Sequence, residues 1–160
     1  MEFICGAGRN PETFLSDTVD DYISANNPVR VIDAYVEALN MESLGFEKYG
    51  PNSTGRPMYN PKNLLKLYLY GYMNRVRSSR NLENETKRNL EVMWLLGKRS
   101  PDHKTIAQFR QNNPNALENV FRHFVKTCIS LGLYGKELIA VDGSKFNAWN
   151  TKDRNFTPAS

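Results

Sequence analysis

Three stretches of the chain bring together side chains that could do chemistry. The first, Arg75-Val76-Arg77-Ser78-Ser79-Arg80, places three guanidiniums and two hydroxyls within six residues, where a new helix is expected to start. Guanidiniums grip phosphate through paired hydrogen bonds, and serine hydroxyls and the free N–H groups of a helix start can donate to the same anion. Arg75, Arg77, Ser78, Ser79 and Arg80 are therefore candidate phosphate contacts. The structural alternative is a helix C-terminus stabilised by cations and followed by a serine cap. The second stretch is the succession of short helical segments from Asn81 to Asn113, broken at Gly97 and at Ser100-Pro101-Asp102. A helix-turn-helix sets its second helix in the major groove, with polar residues near that helix's start reaching base edges. With Asp102 as cap, the solvent side carries His103, Lys104, Thr105, Gln108 and Arg110 or Gln111, and glutamine and arginine suit bidentate base contacts. The alternative is the polar face of an ordinary bundle helix. The third is Asp142, which follows the apolar run Leu138-Ile139-Ala140-Val141 and precedes Gly143. A carboxylate at a strand end is held where a metal ion can reach it, as two-metal phosphoryl transfer requires. The alternative is an Asp-Gly turn; the sole acid after Asp142 is Asp153, and one carboxylate does not make an active site.

The charge pattern supports the first two stretches. The net charge of +4 conceals an acidic start, with nine carboxylates against three cations up to Gly55. From Lys62 to Arg110, eleven cations face four carboxylates. Such a segment is the electrostatic footprint of a nucleic-acid binder, whose cations displace counterions from phosphates, although a solvated basic surface has the same composition. Cys5 and Cys128 are far apart with no CxxC spacing, which argues against a zinc site or a disulfide framework and for a reducing, cytoplasmic setting. The apolar stretch Leu64–Met73 is interrupted by Lys66 and Gly71 and is half the length of a membrane span, so no membrane partner is expected, and the N-terminus has no basic start followed by an apolar run, so no signal peptide is expected.

Helices must position these side chains. Residues 1–27 read as an extended lead-in that docks Phe3, Phe14 and Leu15. Asn-Pro pairs at Asn27-Pro28 and Asn60-Pro61 give helix starts, a cap followed by proline in the first turn. The first helix carries an apolar stripe of Val29, Ile32, Ala34, Tyr35, Val36 and Leu39. The second buries Leu64, Leu65, Tyr68, Leu69 and Tyr72, leaving Lys62, Lys66 and Asn74 outside. Ser78 and Ser79 are expected to cap a third helix, Asn89–Leu96 is a short apolar piece, and Ile106, Ala107 and Phe109 face inward on the helix after Asp102. Pro114 opens a last helix with the longest stripe, Leu117, Val120, Phe121, Phe124, Val125, Cys128, Ile129 and Leu131, closed by Gly132 and Gly135. The final residues, Leu138–Trp149, predict a β-strand leading into a second. The fold class is thus mainly α: a helical bundle with a helix-turn-helix-like segment over 28–135, then a short β-hairpin in 136–160.

These motifs, in this order, resemble one family. They are Asp20-Asp21-Tyr22, Asn27-Pro28-Val29-Arg30-Val31-Ile32-Asp33-Ala34, Arg56-Pro57-Met58-Tyr59, Leu64-Leu65-Lys66-Leu67, Tyr70-Gly71-Tyr72, Arg77-Ser78-Ser79-Arg80-Asn81-Leu82-Glu83, Trp94-Leu95, Pro101-Asp102-His103-Lys104-Thr105-Ile106, Phe109-Arg110 and Val141-Asp142-Gly143-Ser144-Lys145. The chain is similar to the N-terminal region of bacterial insertion-sequence transposases of the DDE superfamily, ahead of their ribonuclease-H-like catalytic domain. The resemblance implies that 28–135 binds the terminal inverted repeats of double-stranded transposon DNA and helps two protomers pair. It implies that 136–160 holds the first strands of the catalytic domain, with Asp142 as the first acid and metal ligand of the triad. The other two acids are expected beyond Ser160. Mg²⁺ or Mn²⁺ is accordingly expected in a full-length transposase and not in this chain, which is expected to be inactive alone and nucleoid-associated. Two other readings stand beside it: a helical module that pairs with and regulates full-length transposase through its apolar faces, and a standalone nuclease using Asp142 and Asp153.

Overall fold

The computed structural model describes residues 18–46 and 59–132. Both Asn-Pro signals open helices as expected. The Asn27 side chain accepts from the Val29 N–H at 2.9 Å at the head of α1 (Pro28–Ala38), and Asn60 accepts from the Lys62 N–H at 2.9 Å at the head of α2 (Pro61–Met73). Each cap satisfies one N–H that the first helical turn leaves unpaired. Four further helices follow: α3 (Ser79–Arg88), α4 (Leu90–Leu95), α5 (His103–Asn112) and α6 (Pro114–Ser130). Ser78 stands at the cap position of α3 without a capping hydrogen bond from its side chain, whereas Asn89 joins α3 to α4 and caps the latter by accepting from Glu91 and Val92. Among the described residues there is no strand. The hairpin expected in 136–160, the docking residues Phe3, Phe14 and Leu15, and the motif Arg56-Pro57-Met58 lie outside the described residues.

The centre of the bundle is α2. Every residue from Leu64 to Gly71 is buried. A helix with one apolar stripe hides one face; one hidden all round must be enclosed by its neighbours, and α1, α4 and α5 pack against α2. This overturns the expected outward position of Lys66. Its side chain is 6% exposed, and its Nζ donates to Asp33 Oδ1 at 2.6 Å and Glu37 Oε1 at 2.7 Å on α1. Lys62 meets the same Glu37, at 3.3 Å. Two of the chain's central cations are thereby neutralised by its acidic start.

Within residues 18–27, expected to be extended, the chain instead makes one short helical turn. Val19–Tyr22 is a short 3₁₀ helix held by Asp21, which accepts from the Thr18 N–H at 2.6 Å and the Thr18 hydroxyl at 2.9 Å. Asp20 accepts from the Trp94 indole N–H at 2.7 Å and pairs with Arg30 at 2.9 Å, while the Arg30 guanidinium lies 5.0 Å from the Trp94 ring centroid. Arg30 also donates to the carbonyls of Ile23 and Ser24, and Ile23 is buried. Charge, ring face and indole N–H saturate one another here, so the lead-in is fastened to α1 and α4.

In α6 the expected stripe is buried from Leu117 to Cys128, with Phe124 fully enclosed, but Ile129 and Leu131 are exposed. Nothing among the described residues covers that last turn. Ala34, placed on the inner stripe of α1 by periodicity, also lies outside.

Candidate nucleic-acid interface

The helix-turn-helix-like segment is built on the packing of α3 against α5, with α4 against α3. Its key tie is Glu83. One carboxylate oxygen, Oε2, accepts from the His103 backbone N–H at 3.0 Å and meets His103 Nδ1 at 2.8 Å, while Oε1 accepts from Lys87 at 2.7 Å. Lys87 foremost, then His103, pulls the Glu83 pKa down from its ordinary 4.5 to about 2. A lowered carboxylate pKa gives stability that is complete above the unfolded value and is lost as pH falls through the folded one. Glu83→Gln is therefore expected to flatten the acid limb of stability between about pH 4.5 and pH 2. Urea midpoints measured across that range check this; an unchanged limb would show that the tie carries no weight.

The loop entering α5 is pinned as firmly. Ser100 holds Thr86 of α3 through its hydroxyl at 2.6 Å, and its carbonyl accepts from Tyr59 at 3.1 Å. Asp102 caps α5 as expected, accepting from the Thr105 N–H at 2.7 Å. Tyr68, on α2, donates from its buried hydroxyl to the Ile106 carbonyl at 2.6 Å, and burial pushes its pKa up to about 12. The position of α5 is thus set from three directions, by α3, the loop and α2.

The anticipated contact residues divide under this geometry. His103 turns toward α3 and Thr105 is half-buried beside Asp102, so neither joins the outer face expected of them. Lys104, Gln108 and Gln111 are exposed at i, i+4 and i+7, one stripe along the outside of α5, and Arg110 is exposed near it. Arg75, Arg77, Ser78 and Arg80 are exposed around the α2–α3 turn, with Ser79 half-buried. Lys98 and Arg99, on the α4–α5 loop, are exposed too. Sequence reasoning passed over this pair, although its position between Gly97 and the Ser100-Pro101-Asp102 helix start was the available signal. Among the described residues, Arg75, Arg77, Arg80, Lys98, Arg99 and Lys104 have no carboxylate partner. Lys62, Lys66, Lys87 and Arg88, by contrast, are paired with Glu37, Asp33, Glu83 and Glu85. Positive potential therefore concentrates on the α3–α5 side and is cancelled on the α1–α2 side.

The model of one protein family, the transposase domain (DUF772), matches residues 17–112, more than half of the chain. The chain belongs to that family. The matched transposase domain starts at the fastened lead-in and ends with α5, so it contains both the uncompensated cations and the acidic residues that neutralise α2. It leaves out α6 and Asp142; the latter also lies outside the described residues. No curated protein and no solved structure matches the chain. No helix among the described residues is long and apolar enough to cross a membrane, and none of their side chains form a group of three or more His, Cys, Asp or Glu that could hold a metal ion.

Proposed function

We propose that this transposase domain binds double-stranded DNA at the terminal inverted repeats of a transposable element. The observation that carries the reading is the segregation of charge: six exposed, uncompensated cations gather about α3, α5 and their loops, while the α2 lysines are paired off. Arg77, Arg80 and Arg99, with Ser78 and Ser79, serve the phosphates, and the Lys104–Gln108–Gln111 stripe and Arg110 of α5 face base edges. His103 and Thr105 act by fixing the start of α5 and not by contact. The rival reading, a helical module that pairs with a full-length partner through α6, is weakened because the stripe from Leu117 to Cys128 is consumed by the chain's own core. Asp142 is proposed, on its motif alone, as the first carboxylate of a two-metal strand-transfer site taking Mg²⁺ or Mn²⁺.

Duplex binding is expected to weaken steeply with salt. The double substitution Arg77→Ala, Arg80→Ala should lower affinity alike on element-end and random duplexes and reduce the slope of log K against log salt by roughly 1.8, about 0.9 per lost phosphate contact. Gln108→Ala should instead narrow the preference for one sequence over another. Fluorescence anisotropy titrations at several salt concentrations check both, and an absence of duplex binding at low salt would falsify the reading.

A further inference from the structure

Two of the uncompensated cations occupy backbone conformations that only glycine adopts without strain. Arg75 has φ +60° and Lys98 has φ +59°. Among the described residues they are the sole non-glycine positions with positive φ. Arg75 closes α2: the Val76 N–H donates to the Gly71 carbonyl at 2.8 Å and the Arg75 N–H to Tyr72 at 3.4 Å. These are the two bonds of a Schellman cap, whose left-handed residue is usually glycine. At the end of α4 the equivalent bonds run from Lys98 to Met93 at 2.7 Å and from Gly97 to Trp94 at 3.2 Å, and Gly97, φ +59°, already supplies the left-handed residue. Lys98 repeats a strained conformation that the cap does not require. Left-handed residues in succession are rare because each places Cβ against the following carbonyl.

The two loops flank the proposed interface. Next to Arg75, the Val76 carbonyl and the Leu82 side chain of α3 flank the same point on Gly71, where a Cβ would come within 2.7 Å of the one and 2.8 Å of the other. Two residues beyond Lys98, Ser100 bonds Thr86. Both loops therefore sit beside α3. Glycine would adopt either conformation without strain, so a cation at these exposed positions is held at a cost that a contact outside the fold would offset.

We propose that Arg75 and Lys98, on the loops at either side of α3, are phosphate contacts, and that a cation stands at each left-handed position in place of glycine for the sake of that contact. The inference rests on the DNA-binding reading above. Its test measures binding and thermal stability of Arg75→Gly and Lys98→Gly in the 160-residue chain, with a random-sequence 30-base-pair duplex as probe. Each glycine variant is expected to bind roughly 8-fold more weakly at 0.1 M salt and to lose about 0.9 from the salt slope, as one lost phosphate contact requires. Its Tm should be unchanged or higher, because glycine releases the strain. Arg75→Lys, which keeps the charge, should retain the slope, and Lys126→Ala on α6 should bind as the parent does. Unchanged affinity and slope in the glycine variants would overturn the inference while leaving the DNA-binding reading standing. A lowered Tm would also overturn it, by showing that the cations serve the helix ends through their dipoles. If the parent chain itself fails to bind the duplex, both readings fall.

Discussion

Lys66→Ala is expected to lower the stability of the helical domain by about 2–4 kcal/mol. Two effects contribute. Alanine removes three buried methylenes, each worth about 0.8 kcal/mol, from the most enclosed helix of the fold. It also removes the ammonium that bonds Asp33 and Glu37 on α1, leaving Glu37 with Lys62 alone. Those carboxylates are 36% and 54% exposed, so water takes up part of their charge and the loss falls short of that for a wholly buried pair. Lys66→Met, which refills the stem, should therefore cost less than about 1.5 kcal/mol. A Met variant as damaged as the Ala variant would place the weight on the ion pair and not on packing.

The pH dependence of this tie has a definite sign. Hydrogen bonding from Lys66 holds Glu37 below its ordinary value, with Lys62 adding to the effect against the opposing burial. Its stabilisation is present above about pH 4.5 and disappears as the medium becomes acidic. For Lys66 itself burial opposes the charge, but the bonds to Asp33 and Glu37 outweigh it and raise the pKa above 10.5, so its contribution is complete below that value and is lost in strong alkali. In Lys66→Met the acid-side loss of stability should shrink. Urea unfolding followed by circular dichroism at pH 7 and pH 4 measures both effects.

Gly71→Ala should destabilise the domain by about 2 kcal/mol, against the usual direction for this exchange. Within a helix, alanine is normally better than glycine by about 1 kcal/mol. Here a Cβ would lie 2.7 Å from the Val76 carbonyl oxygen and 2.8 Å from Leu82 Cδ2. The carbonyl is backbone and not the far end of a flexible side chain, so it can give way only if the α2–α3 turn itself shifts. Leu82 is fully buried on α3 and has no room to retreat. Overpacking of this kind costs about 1–3 kcal/mol, enough to reverse the propensity gain, and a fall in Tm on the order of 10 °C is expected. Leu82→Ala in the same chain should recover part of the loss through the side-chain contact but none through the carbonyl, and a double-mutant cycle separates the two. A rise in Tm for Gly71→Ala alone would mean that α2 and α3 do not approach this closely. Because the α3 start carries Arg77 and Arg80, any shift there should also reach DNA affinity.

Much of the helical scaffold was legible because its signals are local. Asn27-Pro28, Asn60-Pro61 and Asp102 each place a side-chain acceptor beside its own helix start, and the distances involved are fixed within three residues. The buried stripe of α6 from Leu117 to Cys128 follows from periodicity in the same way. Lys66 failed as a surface residue for the opposite reason, since its partners Asp33 and Glu37 are distant in the chain; Ser78 takes the cap position of α3 but makes no side-chain capping bond. The fastening of the lead-in by Trp94 and Arg30, across 74 residues in the case of Asp20 and Trp94, leaves no local trace either.

The candidate site shows the same division. Composition and spacing by themselves determined that the middle of the chain is basic, that helices begin at Asn27, Asn60 and Asp102, and that Arg75, Arg77 and Arg80 cluster. Tertiary structure decided which of those charges remain free. Coulomb attraction between groups a few ångströms apart is blind to sequence separation, so the carboxylates of α1 reach the lysines of α2 and leave the cations of the α2–α3 turn, the α4–α5 loop and the start of α5 uncompensated. Only the packed helices could show that His103, at the start of α5, is held by Glu83 of α3 while Lys98 and Arg99 stand free on the loop before it.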